Sequence, residues 1–159
     1  MKILVFFILL ALCVADLDIN GLRKFSKEFL STVEVEEGDA LVKCLSNDTV
    51  KSWDNIYERL EKVDWKDLDF IVYAAAMDAS GALEIFGDVI RCSKSPTIIV
   101  KKISQMGELL KNQKNLKDKV EENKEEIIKL IKSQISHNNN EKVEDAGISL
   151  GNFIKLLFY

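Results

Sequence analysis

Apolar positions recur at three- and four-residue steps along most of this chain, the spacing that lines one face of an α-helix. Leu22, Phe25, Phe29, Leu30 and Val33 form the first stripe, which Glu34 to Gly38 interrupts with charge and a glycine. A short helix from about Asp39 follows, turning Leu41, Val42, Cys44 and Leu45 inward. Asn47-Asp48 breaks the pattern again, and Asp48 is placed to cap the next helix by accepting a bond from a free backbone N–H. That helix carries Val50, Trp53, Ile56, Tyr57, Leu60 and Val63, with Asp64 to end or recap it. From Trp65 to Cys92 the residues are more apolar and less one-sided. A helix apolar on several sides is expected to be buried on several sides, so this segment reads as the central element, with a candidate break near Ser80-Gly81. The run Phe70 to Tyr73 has strand-like composition, but no turn-flanked partner strand exists, and helix is the better reading.

Pro96 suits the first turn of a helix, where its missing N–H costs nothing. Ile99, Val100, Ile103, Met106, Leu109 and Leu110 make the stripe behind it. Lys111 to Glu126 is highly charged and reads as a solvated turn entering a long surface helix, which becomes apolar from Ile127 to Ile135. His137 and Asn138 to Asn140 form a polar break. The last helix, about Glu141 to Phe158, turns Val143, Ala146, Gly147, Leu150, Gly151, Ile154 and Leu157 to one side. Gly147 and Gly151, four residues apart, predict the close approach of another helix. The apolar ending Phe153 to Tyr159 is expected to dock into the domain. Together these patterns predict an all-α class: a compact helical bundle of five to seven helices in one domain, residues 16–159, with no internal repeat and no linker.

The first fifteen residues stand apart. Lys2, an apolar run from Ile3 to Val14 and small side chains at Cys13 and Ala15 have the three-part layout of a secretory signal. The expected cut lies between Ala15 and Asp16. The run is short for a membrane span, which needs roughly 20 apolar residues. Cleavage removes Cys13 and leaves 144 residues, Cys44 and Cys92 among them. In an oxidising compartment two thiols in one small domain most simply pair with each other; separate buried thiols or bridges between chains are the alternatives. Asn47-Asp48-Thr49 is an N-x-[ST] sequon, making Asn47 a candidate glycosylation site.

Charge narrows the partners. With 22 basic and 26 acidic residues the chain carries a net −4, and loss of Lys2 makes it −5. Nucleic acid and anionic membrane both call for clustered positive charge, so neither is expected. Only Arg23, Arg59 and Arg91 offer a guanidinium, the preferred fork for phosphate. His137 is the one histidine and lies among asparagines, without the ligands a zinc site needs. Carboxylates are so abundant (Glu34 to Asp39, Asp64 to Asp69, Glu121 to Glu126) that no pair stands out for hydrolysis. No catalytic residue, metal or cofactor is therefore expected. Trp53, Tyr57, Trp65, Phe70 and Tyr73 are candidates to line an apolar pocket, against the commoner role of aromatics as core.

The signal-like start, two cysteines flanking a buried stretch, and the ending Asp145-Ala146-Gly147-x-x-Leu150-Gly151-x-x-Ile154 resemble small secreted helical proteins of ciliates. The resemblance implies a helical fold and export, and no activity. The sequence thus predicts a secreted, non-catalytic helical protein, foremost a binding module for an apolar ligand such as a lipid. The alternative is a structural or interaction protein of a secretory granule or cell surface, with a carboxylate-based hydrolase third. The expected partner is an apolar small molecule or another secreted protein, with no membrane span in the mature chain.

Overall fold

Local chemistry sets the helix starts. Asp18 opens the first helix, α1 (Ile19–Thr32), by accepting the Gly21 backbone N–H at 2.6 Å, satisfying one of the donors that every helix leaves free. The computed structural model describes residues 17–159, so the signal segment, Cys13 and the Ala15-Asp16 cut lie outside the described residues. After α1 come α2 (Gly38–Leu41), leading into a 3₁₀ turn at Val42–Cys44, and α3 (Asn47–Leu60). Then follow α4 (Leu68–Val89), leading into a second 3₁₀ turn at Ile90–Cys92, and α5 (Pro96–Lys111). The chain ends in α6 (Gln113–Glu122), α7 (Lys124–Asn139) and α8 (Val143–Phe158). The described residues hold eight α-helices and no strand.

Eight exceeds the expected five to seven because the charged stretch after Lys111 holds a helix of its own. Asn112 caps α6 by accepting the Asn115 N–H at 3.1 Å, and Leu116 and Val120 bury its two apolar positions. Other boundaries also move. Ser46, rather than Asp48, caps α3 by accepting the Thr49 N–H, while Asp48 sits in the first turn, where its charge complements the positive helix end. α3 stops at Leu60, and Asp64 instead holds the following turn through the Lys66 N–H at 3.0 Å. α7 continues through His137 to Asn139, and the chain reverses at Glu141, whose φ of 60° is left-handed.

α4 is unbroken at Ser80-Gly81. Gly81 is there for space: a Cβ at this position would lie 2.5 Å from Cζ2 of Trp53. α4 packs against α3, α5, α6, α7 and α8, which makes it the central element. It is not enclosed on every side, however. Phe70 and Tyr73 are 51% and 49% exposed. By length and composition the segment Leu68–Cys92 could cross a membrane, and half of its apolar window is buried within the domain.

The core is aromatic at its centre. Phe25 meets Trp53 edge-on at 5.0 Å, Phe29 lies 5.3 Å from Phe86, and all four side chains are fully buried. α1 and α8 form the most extensive helix pair. Their closeness depends on Gly147, where a Cβ would collide with the Phe25 carbonyl oxygen, and on Gly151, where it would lie 2.5 Å from Thr32. Phe153, Ile154 and Leu157 are fully buried, so the apolar end is docked, and Tyr159 donates its hydroxyl to the Lys102 carbonyl at 2.8 Å. Cys44 and Cys92 form a disulfide across 48 residues, with Cα atoms 5.9 Å apart. It joins the ends of the two 3₁₀ turns, and closing a loop of that length stabilises the fold by about 4 kcal/mol in the chain-entropy model.

Candidate functional site

The five aromatics proposed as a pocket lining do not converge. Trp53 and Tyr57, on the inner face of α3, are core residues with ring centroids 5.7 Å apart. Trp65 is half-buried in the loop before α4, at the rim of an open concavity of about 460 Å³ shared with Lys132 and Ile135 of α7. Phe70 and Tyr73 point outward from α4. Period is the cause. Trp53 and Tyr57, four apart, share the buried stripe of α3, whereas Phe70 and Tyr73, three apart, share a side of α4 turned away from Ile71 and Ala75.

That outward side borders a groove of about 430 Å³ between α3 and α4. Ile56, Tyr73, Ala76 and Met77 give it an apolar floor, with Arg59 near one end and Glu84 near the other. Arg59 is exposed, and its Nη1 reaches the Tyr73 hydroxyl at 3.5 Å. The groove is open to solvent and mixes polar with apolar surface, so it can take a protein side chain or helix edge more readily than wrap an acyl chain.

On the inward side of α4 lies a group that the pattern of stripes did not single out. Asp78 is fully buried. Gln134 of α7 donates Nε2 to Asp78 Oδ1 at 3.0 Å and to the Tyr57 hydroxyl at 3.2 Å. Among the described residues Asp78 Oδ2 and Gln134 Oε1 have no partner. Burial pushes the Asp78 carboxyl up to about 7, against a smaller opposing effect of the Gln134 bond. Burial likewise holds the Tyr57 hydroxyl well above its ordinary value. The signal in the sequence was the charge itself: Asp78 is the one charged residue between Asp69 and Glu84.

A second polar cluster sits beside the disulfide. Asp88 of α4 accepts the Ser46 N–H and hydroxyl, each at 3.1 Å, and the Thr49 hydroxyl. Arg91 donates to the Cys44 carbonyl at 3.1 Å and pairs with Asp88 at 3.6 Å. The sequon is therefore divided. Asn47 is exposed at the first position of α3, while Thr49 is 3% exposed and held by Asp88.

His137 is half-buried in the last turn of α7. Among the described residues no group of three or more His, Cys, Asp or Glu side chains is arranged to hold a metal ion. Comparison with protein-family models, with curated proteins and with solved structures finds no match to this chain.

Proposed function

We propose that this protein acts by surface contact, as an exported, disulfide-clipped interaction protein that presents the α3–α4 face to another protein. One observation carries the reading. The central helix leaves two aromatic rings about half exposed on one side, next to an open groove with an apolar floor. Large rigid aromatics at the edge of a groove are the usual anchors of protein contacts. Export is supported by the disulfide, which fits an oxidising compartment. The lipid-carrier reading is motivated by the wide apolar middle and the aromatic stripe; the five aromatics are divided between core and surface, which supports it less.

The test is site-specific photo-crosslinking in the secreting cell. A benzophenone side chain replaces Tyr73 in one sample and the exposed Asp118 in another. A discrete protein adduct from position 73, absent from position 118, is expected. Absence of any adduct at 73, together with stoichiometric lipid released from the purified protein, would overturn the proposal in favour of a carrier.

A further inference from the structure

The sequon that opens α3 presents its acceptor and hides its recognition group. Asn47 is the first residue of the helix and is exposed, whereas Thr49 is 3% exposed. Two steps along a helix turn the side chain by about 200°, so the two groups leave α3 on nearly opposite sides. The Thr49 hydroxyl donates to Asp88 of α4 and lies 3.2 Å from the Ser46 hydroxyl. Ser46 gives its own N–H and hydroxyl to the same carboxylate. Four residues beyond Asp88, Cys92 closes onto Cys44, which lies three residues before Asn47. The Asp88 lock and the disulfide therefore fasten one junction from both ends.

A transferase that reads N-x-[ST] must hold the asparagine amide and the hydroxyl together, because the hydroxyl is what marks a sequon out from other asparagines. The folded domain offers the first without the second. The unfolded chain offers both. Order of synthesis gives that chain an interval in which to react, since Asp88 and Cys92 are both made after the sequon. Cys92 follows Cys44 by 48 residues, which at roughly 5–20 residues per second is about 2–10 s of synthesis. Until then Thr49 has neither the carboxylate nor the disulfide to hold it in place.

We infer that Asn47 accepts an N-linked glycan only before α3 docks on α4, and that the Thr49–Asp88 contact and the Cys44–Cys92 disulfide end its reactivity. In that step Asn47 Nδ2 attacks the anomeric carbon of an oligosaccharide carried on a polyisoprenyl pyrophosphate. The new N–C bond replaces the C–O bond to the pyrophosphate, the lipid pyrophosphate leaves, and one amide proton passes to a base of the transferase. Asn47 faces solvent, so the sugar stays outside once the domain has closed. The inference rests on the export half of the proposed function, because the donor and the transferase belong to the secretory lumen.

The disulfide-bonded protein, made in a bacterial periplasm without glycan, is given to a detergent-solubilised oligosaccharyltransferase with its lipid-linked donor. The same chain, reduced, alkylated and held unfolded in urea, is treated in parallel, and a peptide map over Asn47 reads the modification. The unfolded chain is expected to be glycosylated and the native one at least tenfold more slowly, because a folded sequon reacts only through rare local opening. Asp88→Ala, with its disulfide and helical circular dichroism intact, releases the Thr49 hydroxyl and is expected to recover part of that loss. Native protein modified as fast as the unfolded chain overturns the inference. So does an unfolded chain that is refused, or a folded Asp88→Ala chain no faster than the wild type. If Asp88→Ala does not fold, the comparison of native with unfolded wild type still decides. Export is read separately, by translating the full chain with microsomes after adding a second sequon on an extended tail beyond Tyr159. A glycosylated tail with Asn47 bare even under reductant overturns the inference and leaves export standing. A bare tail refutes export, and the inference with it.

Discussion

Asp78→Asn is expected to make this protein more stable at neutral pH relative to the wild type, by an amount that shrinks as the solution is acidified. The folded state holds the Asp78 proton more tightly than the unfolded chain does, with the carboxyl at about 7 against an ordinary 3.8. Below the unfolded value the carboxyl is neutral in both states and costs nothing. As pH rises towards 7 the unfolded chain ionises while the folded one resists, and stability falls. Above 7 the loss is complete. At 1.36 kcal/mol per unit it reaches about 4 kcal/mol, a large share of what holds an ordinary domain together. Asparagine keeps an oxygen for Gln134 and carries no charge. Its buried amide adds a cost of its own, but one that does not vary with pH. The quantity to measure is therefore the change in the mutant-minus-wild-type difference between pH 4.5 and pH 8, expected to be about 3 kcal/mol. Urea unfolding followed by the fluorescence of Trp53, fully buried beside Tyr57, gives that difference directly. The other titrating groups are common to both proteins and cancel. Stability curves that run parallel across this range would refute the assignment.

Gly147→Ala sets a methyl against the Phe25 carbonyl oxygen, which the helix holds in place, and is expected to cost about 3 kcal/mol in denaturant unfolding. Gly107→Ala in α5, where a Cβ meets nothing within 4 Å, should instead stabilise by up to about 1 kcal/mol. Asn47→Gln and Thr49→Ala both remove the sequon, so a glycan on Asn47 would disappear from the mass spectrum of either exported variant. Only Thr49→Ala also loses the hydrogen bond to Asp88, and it should cost about 2 kcal/mol in unfolding where Asn47→Gln stays within about 0.5.

The helical architecture was legible because burial repeats with the helix. Phe25 and Phe29, Trp53 and Tyr57, Leu150 and Ile154 announce their inward faces by spacing alone, and all are buried. Gly147 and Gly151 were readable for a related reason: two glycines four apart on an apolar stripe leave a groove for a neighbour. What spacing does not encode is which side of a uniformly apolar helix the domain covers. α4 looked enclosed because Phe70, Tyr73, Ile71 and Ala75 are all apolar. The packing of its neighbours decides that Ile71 and Ala75 go inside and the two aromatics stay out. Asp78 was passed over for the opposite reason. A lone carboxylate in an apolar run interrupts no stripe, and its partner Gln134 lies 56 residues away on α7. Boundaries moved where short side chains competed for the same role, as when Ser46 rather than Asp48 took the cap of α3.

The pairing of α1 with α8 bears on how the chain matures. In the folded domain the flank of α1 formed by the Phe25 backbone and Thr32 is met by Gly147 and Gly151, residues made almost at the end of synthesis. Contacts this distant in sequence form late and slow the search for the native state. The most extensive helix pair of the domain is therefore completed only by the last helix to be made, and a chain that exposes apolar surface while it waits is the kind that chaperones bind. A ribosome that stalls before Gly147 would release a product unable to close.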